Sequence, residues 1–262
     1  MGMVMIGVDI GTTSTKAVLF NKEGEVLYRA NVEYPLYTPT PATAEQDPDE
    51  IFQAVVTVIK QCSTEAKKTK NEVEFVSFSS AMHSLIVVDQ FGKPVTNSIT
   101  WADNRSSAYV EKVKHDYNGH MIYLRTGTPL HPMSPFVKLV WMREEHPEWL
   151  KKENKFISIK EYVFYRLFGQ FVIDYSIASA TGMFHLENLD WDEEVLQIIG
   201  ISREQLSVPV STTTNLTGLI GEFANEMGLH CDTPFFVGAS DGVLSNLGVN
   251  AIDRCCCLND WH

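Results

Sequence analysis

Between Asp9 and Lys16 the chain reads Asp-Ile-Gly-Thr-Thr-Ser-Thr-Lys, a carboxylate, a glycine, four hydroxyls and a lysine within one bend. Gly11 lets the backbone turn tightly and approach an anion with no Cβ in the way. Backbone N–H groups and the hydroxyls of Thr12, Thr13 and Ser14 can donate to phosphate oxygens, and Asp9 can hold magnesium directly or through water. Lys16 either adds positive charge or points to solvent. A plain hairpin uses the same residue types, but it needs one or two of them. The chain has neither a G-x-x-x-x-G-K-[ST] loop nor a G-x-G-x-x-G fingerprint, so a bound nucleotide requires another fold.

Three further groups carry chemistry. His83, just behind Met82, can both donate and accept a hydrogen bond, although a lone histidine is more often a satisfied structural residue. Trp101, Asp103 and Arg105 offer an aromatic face, an acceptor and a fork-shaped donor within five residues. An aspartate can accept two hydroxyls and an arginine can meet a carboxylate. The competing reading is a helix start with Trp101 in the core and Asp103 capping and paired to Arg105. Asp241 follows a buried-type strand and precedes an apolar helix, at the kind of strand end where ligands gather. A carboxylate there can take a proton as a hydroxyl attacks a phosphoryl group, or it can simply cap the helix.

These groups need elements to hold them. Val4 to Ile10, Thr15 to Phe20 and Val26 to Tyr34 read as three antiparallel strands, with Asn21 to Gly24 as a turn signal. Asp47-Pro-Asp-Glu50 reads as an N-cap, a first-turn proline and two acids, opening a helix from Pro48 to about Lys67 with Ile51, Val55, Val58, Ile59 and Cys62 on one face. Strands follow at Val73 to Phe78 and Leu85 to Val88, and interrupted helix runs from Ser106 to Trp149. Further helices are expected at Ile159 to Phe168 and Asp192 to Ile199, each closed by a glycine, and a buried strand at Pro234 to Gly238. Strands alternating with helices make this an α/β chain.

Composition narrows the partners. With 33 acidic against 21 basic residues and no basic block, neither nucleic acid nor an anionic membrane is expected. No apolar run approaches the ~20 residues of a membrane span, and the start lacks a basic leader, so a cytoplasmic protein is expected. No cysteine pair has zinc spacing, and the adjacent Cys255, Cys256 and Cys257 cannot easily face one tetrahedral ion.

The opening Asp9 to Lys16 segment, on the first strand of a β-β-β-α start, resembles the first phosphate loop of the sugar-kinase, Hsp70 and actin superfamily. Within it, Ser80-Ala-Met-His83, Thr100-Trp-Ala-Asp-Asn-Arg105, Lys138 to Pro147 and Gly238-Ala-Ser-Asp-Gly242 resemble the FGGY carbohydrate kinases, and the likeness runs from Met5 to about Asp253. It implies a ribonuclease H-like (actin-like ATPase) N-terminal domain, a mixed sheet with helices on both faces. It also implies ATP and Mg2+ as cofactors, Gly11, Thr12, Thr13, Ser14 and Lys16 at the nucleotide phosphates, and Asp9 at the metal. By the same resemblance Met82, His83, Trp101, Asp103 and Arg105 face a sugar or sugar acid, and Asp241 is the catalytic base.

Thr100 to Arg105 with Asp174-Tyr-Ser-Ile-Ala-Ser-Ala-Thr-Gly182 look most like gluconate kinases, with xylulose kinases second and glycerol kinases a distant third. Residues 1–253 then form the sugar-binding N-terminal domain and 254–262 an atypical tail, where the family pattern stops at Arg254 as in a truncated or frameshifted reading frame. The C-terminal domain of the family is expected to be absent. A separate C-terminal lobe or a second copy is the implied partner, and the chain alone is expected to be weak or inactive. The readings it competes with are a non-catalytic partner-binding domain that kept the fold and an Hsp70- or actin-like nucleotide module.

Overall fold

A computed structural model describes residues 2–251; the 254–262 tail and its three cysteines lie outside the described residues. The opening alternation does what its period of two requires. In β1 (Met3–Ile10) the side chains of Val4, Ile6, Val8 and Ile10 are buried, while Met5, Gly7 and Asp9 take the opposite face. β2 (Ser14–Asn21) and β3 (Val26–Glu33) extend the sheet antiparallel, with Asp9 directly across from Lys16. After the short β4 (Glu45–Gln46), α1 (Pro48–Lys68) starts at Asp47, whose carboxylate accepts from the N–H of Asp49 at 2.8 Å and Glu50 at 3.4 Å. Such a cap is worth about 1 kcal/mol. The predicted stripe of Ile51, Val55, Val58, Ile59 and Cys62 is buried against the sheet.

β5 (Glu72–Ser80) then returns parallel to β1. β6 (Ile86–Val88) and β7 (Ser98–Ile99) lead into α2 (Tyr109–Asp116), α3 (Gly119–Thr126) and α4 (Pro135–Glu145), the resolved form of the interrupted helical stretch. β8 (Lys155–Ile157) pairs with β6 and feeds α5 (Ile159–Phe168), which carries a reciprocal capping box between Ser158 and Glu161. Small elements follow: β9 (Val172–Asp174), α6 (Tyr175–Ser179), β10 (Phe184–His185), β11 (Asp190–Trp191), α7 (Glu193–Ile199), β12 (Val208–Val210), β13 (Asn215–Leu216) and α8 (Gly221–Met227). β14 (Phe235–Ser240) completes the sheet and α9 (Asp241–Gly248) leaves it.

The central sheet has the order β13-β14-β5-β1-β2-β3, with β14, β5 and β1 mutually parallel and the outer strands antiparallel, so the expected mixed sheet with packed helices is present. One core lies between this sheet and α1, α5 and α8. On the other face Met5, Val18, Phe20, Phe75 and Phe236 are only half-buried among the described residues. A second core gathers α2, α4 and α7. β6 divides the two, since alternation sends Ile86 and Val88 into the first and Leu85 and Val87 into the second. No helix among the described residues is long and apolar enough to cross a membrane.

Candidate active site

Three parallel strands end together. The register sets Asp9 beside Ser79 and Ser79 beside Ala239, so the C-terminal ends of β1, β5 and β14 form one rim. Residues just past a rim of this kind converge on the same space.

The first wall is the bend between β1 and β2. Gly11 closes it, donating its N–H to the carbonyl of Ser14 at 3.0 Å; a Cβ on Gly11 would stand 3.1 Å from that oxygen. The carbonyls of the bend are all occupied from behind. Tyr34 donates its hydroxyl to Gly11 O at 2.6 Å and its N–H to Thr13 O at 3.3 Å, and Gln46 Nε2 donates to Thr12 O at 2.7 Å. With those oxygens fixed, the N–H groups of Thr12 and Thr13 are left without a hydrogen bond among the described residues, the condition an anion would meet. Ser14 is buried, and Lys16 is exposed on the same face as Asp9. Lys16 brings its charge to the carboxylate side of the bend.

Asp9 has no ion-pair partner among the described residues. Asp241 opens α9 at the end of β14 and accepts from the Gly242 N–H at 2.8 Å. Burial, with a smaller push from Asp9, raises the proton affinity of Asp241, and Lys160 partly opposes this. No cluster of three metal-binding side chains occurs among the described residues. Two carboxylates suit magnesium, which keeps several waters and needs only one or two protein carboxylates when phosphates supply the rest.

Beside Asp241 opens a cleft of about 440 Å3 whose lining includes Met82, His83, Thr128, Ser176, Ser179 and Ser240. His83 sits at φ +65° in the left-handed region, and its buried Nδ1 has no partner. Burial and the nearby Lys138 charge push the imidazole down to about 4, so it is neutral near pH 7 and keeps one donor and one acceptor. The strained backbone is held by Lys138, which has no exposure and donates to His83 O at 2.8 Å and Thr100 O at 2.7 Å. Burial pushes that ammonium down to about 7.

The motif from Trp101 to Arg105 lies elsewhere. Asp103 has no exposure; its carboxylate accepts from Ala44 N at 2.9 Å and from the Arg105 backbone and side chain at 3.0 to 3.1 Å. Arg105 also pairs with Glu45 and lies 4.8 Å from the Trp141 ring centre. Neither lines the cleft beside Asp241, and the pairing of Asp103 with Arg105, part of the competing reading, is what forms. Trp101 is half-exposed rather than a core residue, and its indole N–H donates to Thr12 Oγ1 at 3.0 Å, so it braces the bend between β1 and β2. Met82 belongs to both ends, lining the cleft beside Asp241 and the small gap toward Thr12 and Trp101.

Sequence reasoning gave no role to Thr128, Ser176 or Ser179, although the segment holding the two serines resembles gluconate kinases. Isolated hydroxyls have no periodic signal, and only packing tells a lining hydroxyl from a surface one. The buried pair Lys160–Asp174, 2.6 Å apart behind the cleft, was equally silent.

Residues 4–248 match the model for the FGGY family of carbohydrate kinases, N-terminal domain. A Bacillus subtilis protein named gluconokinase is 54% identical over 97% of this chain and 49% of its own length. A crystal structure of gluconate kinase from Lactobacillus acidophilus superposes with a TM-score of 0.92 at 39% identity, covering 97% of this chain and 51% of that one. A ligand-bound xylulose kinase from the same organism gives 0.91 at 39% identity over 96% and 51%. The chain thus spans about half the length of the relatives it matches. With the domain model spanning all the elements that build the cleft, the chain belongs to the FGGY family of carbohydrate kinases.

Proposed function

We propose that this chain forms the sugar-binding half of a cytoplasmic, ATP-dependent kinase of a sugar or sugar acid, with gluconate the favoured substrate and xylulose next. The observation that carries the reading is the juxtaposition of a hydroxyl-lined cleft, a neutral histidine with an unpartnered nitrogen and a proton-seeking aspartate, all beside a bend with two free N–H groups. The residues fit Mg-ATP. Thr12 and Thr13 would hold phosphate oxygens through their amides, Lys16 would add charge, and Asp9 would hold the magnesium. When bound, the nucleotide supplies the phosphoryl group that is transferred.

The protein's own contribution is positioning and proton transfer. His83 and the cleft hydroxyls orient the polyol so that one primary hydroxyl meets Asp241. Asp241 takes the hydroxyl proton as that oxygen bonds to the terminal phosphorus and the bond to the leaving ADP oxygen breaks. A carboxylate made more basic by burial is the better acceptor near neutral pH. Residues 1–253 act as this domain, and efficient turnover requires a second lobe to close over the nucleotide and exclude water.

The test is a thermal-shift panel with gluconate, xylulose, glycerol and Mg-ATP. A ligand at 100 times its Kd stabilises by about 2.7 kcal/mol, a readily visible shift. Gluconate is expected to give the largest shift and to lose it in His83→Ala. A folded chain that responds to none of the polyols overturns the reading.

A further inference from the structure

Behind the cleft, two buried ionic side chains converge on one peptide unit. Lys160 and Asp174 are 2% and 0% exposed, with Nζ and Oδ2 2.6 Å apart. Lys160 Nζ donates to the carbonyl of Ala239 at 3.3 Å. On its other oxygen, Asp174 accepts the hydroxyl of Ser176 and the N–H groups of Ser176 and Ile177, capping α6. Ser176 Oγ in turn accepts the N–H of Ser240 at 2.8 Å. The carbonyl of Ala239 and the N–H of Ser240 belong to the same peptide, so its two polar ends are both tied to a single carboxylate.

That peptide immediately precedes Asp241. It lies just beyond an irregularity in the β14 ladder, where pairing with β5 is broken between Phe236 and Ala239. The partner on its other side, β13, reaches only Phe235 and Phe236. Pairing with β5 resumes at Ala239 and Ser240, so strand pairing supports the end of β14 from one side only at the point where the base must be placed. A helix cap alone needs only the backbone contacts of Asp174; the lysine and the hydroxyl reaching to β14 are additional.

We infer that Lys160, Asp174 and Ser176 are positioning residues, a buried relay that orients the Ala239–Ser240 peptide and through it aims Asp241 at the sugar cleft. Ser176 also lines that cleft, so the relay joins the wall that touches substrate to the backbone that carries the base. The inference rests on the kinase reading for its purpose, but its geometry can be tested without a ligand.

The experiment uses the 262-residue chain with three changes: Ser176→Ala, Ser176→Thr and the double variant Lys160→Met/Asp174→Asn. Replacing both members of a buried pair by neutral residues is often near neutral for stability, whereas removing one strands a charge. The readouts are the Ser240 and Asp241 amide resonances in 15N–1H spectra and gluconate affinity by calorimetry. Ser176→Ala and the double variant are expected to remain folded, displace both resonances and weaken gluconate about tenfold. Ser176→Thr, which keeps the hydroxyl, is expected to restore them. Should the double variant not fold, the alanine and threonine pair decides alone. Unmoved resonances in a folded variant overturn the relay. A parent chain that binds no gluconate counts against the kinase reading instead, while the resonances still decide the relay.

Discussion

Gly238, three residues before Asp241, and Gly200, the C-cap of α7, both adopt a left-handed backbone, at φ +68° and +87°. An alanine at either site bears the same backbone penalty, about 1–2 kcal/mol. The surroundings differ completely. A Cβ on Gly200 would meet nothing within 4 Å, whereas one on Gly238 would lie 1.8 Å from the carbonyl oxygen of Phe78 and 2.8 Å from its carbon. An ordinary C···O contact is about 3.3 Å, so β14 would have to retreat from β5 by roughly 1.5 Å. That carries the neighbouring N–H···O bonds past their useful range of about 3.2 Å. Losing two of them adds about 2 kcal/mol, for a total of about 3–4 kcal/mol, against about 1–2 kcal/mol for Gly200→Ala. A domain of this kind has about 5–15 kcal/mol in all, so the first change removes a large share. Urea unfolding of both variants measures the difference, with the slope against denaturant checking that the folded states stay comparable. Costs within 1 kcal/mol of one another would refute the argument that the β14–β5 approach is closed to a side chain.

Three other outcomes follow from the site. Asp241→Asn removes a half-buried charge that Asp9 repels, so stability should not fall, while phosphoryl transfer, measured with the second lobe supplied, should fall at least 100-fold. His83 has a folded-state pKa of about 4, below the usual 6.5, so the unfolded chain binds the extra proton between those values and stability should rise with pH across that window. His83→Asn, which tolerates the left-handed backbone, should flatten stability measured from pH 4 to 6.5 by on the order of 3 kcal/mol. Asp103→Asn should destabilise by about 2–4 kcal/mol in chemical denaturation, because Arg105 loses its buried partner. Gluconate affinity of the folded variant should stay within twofold by calorimetry, and a tenfold loss would return Asp103 to the sugar.

What could be read before the fold was known were features written in local order. The alternation of β1, the stripe of α1 with its Asp47 cap, the glycine after α7 and the hydroxyl-rich bend all depend on residues close in sequence, whose spacing alone decides which side they face. The same holds for the family motifs and for Asp241 at a strand end. Asp103 and Arg105 show where local order fails. Their types suit a sugar equally well as each other, and only the arrival of Ala44 and Glu45 from nearly 60 residues away commits both to structure. The neutral state of His83 likewise needs Lys138 and the depth of the second core. Ser176 and Lys160 acquire meaning only when α5, α6 and β14 meet, because a hydroxyl or an ammonium becomes a positioning group through the partner it finds when buried. Local order thus sufficed for the longer strands and helices, the hydroxyl-rich bend and the family likeness. Tertiary packing decided which polar groups are used up inside and which are left facing the cleft, since burial and partnership are properties of the assembled chain.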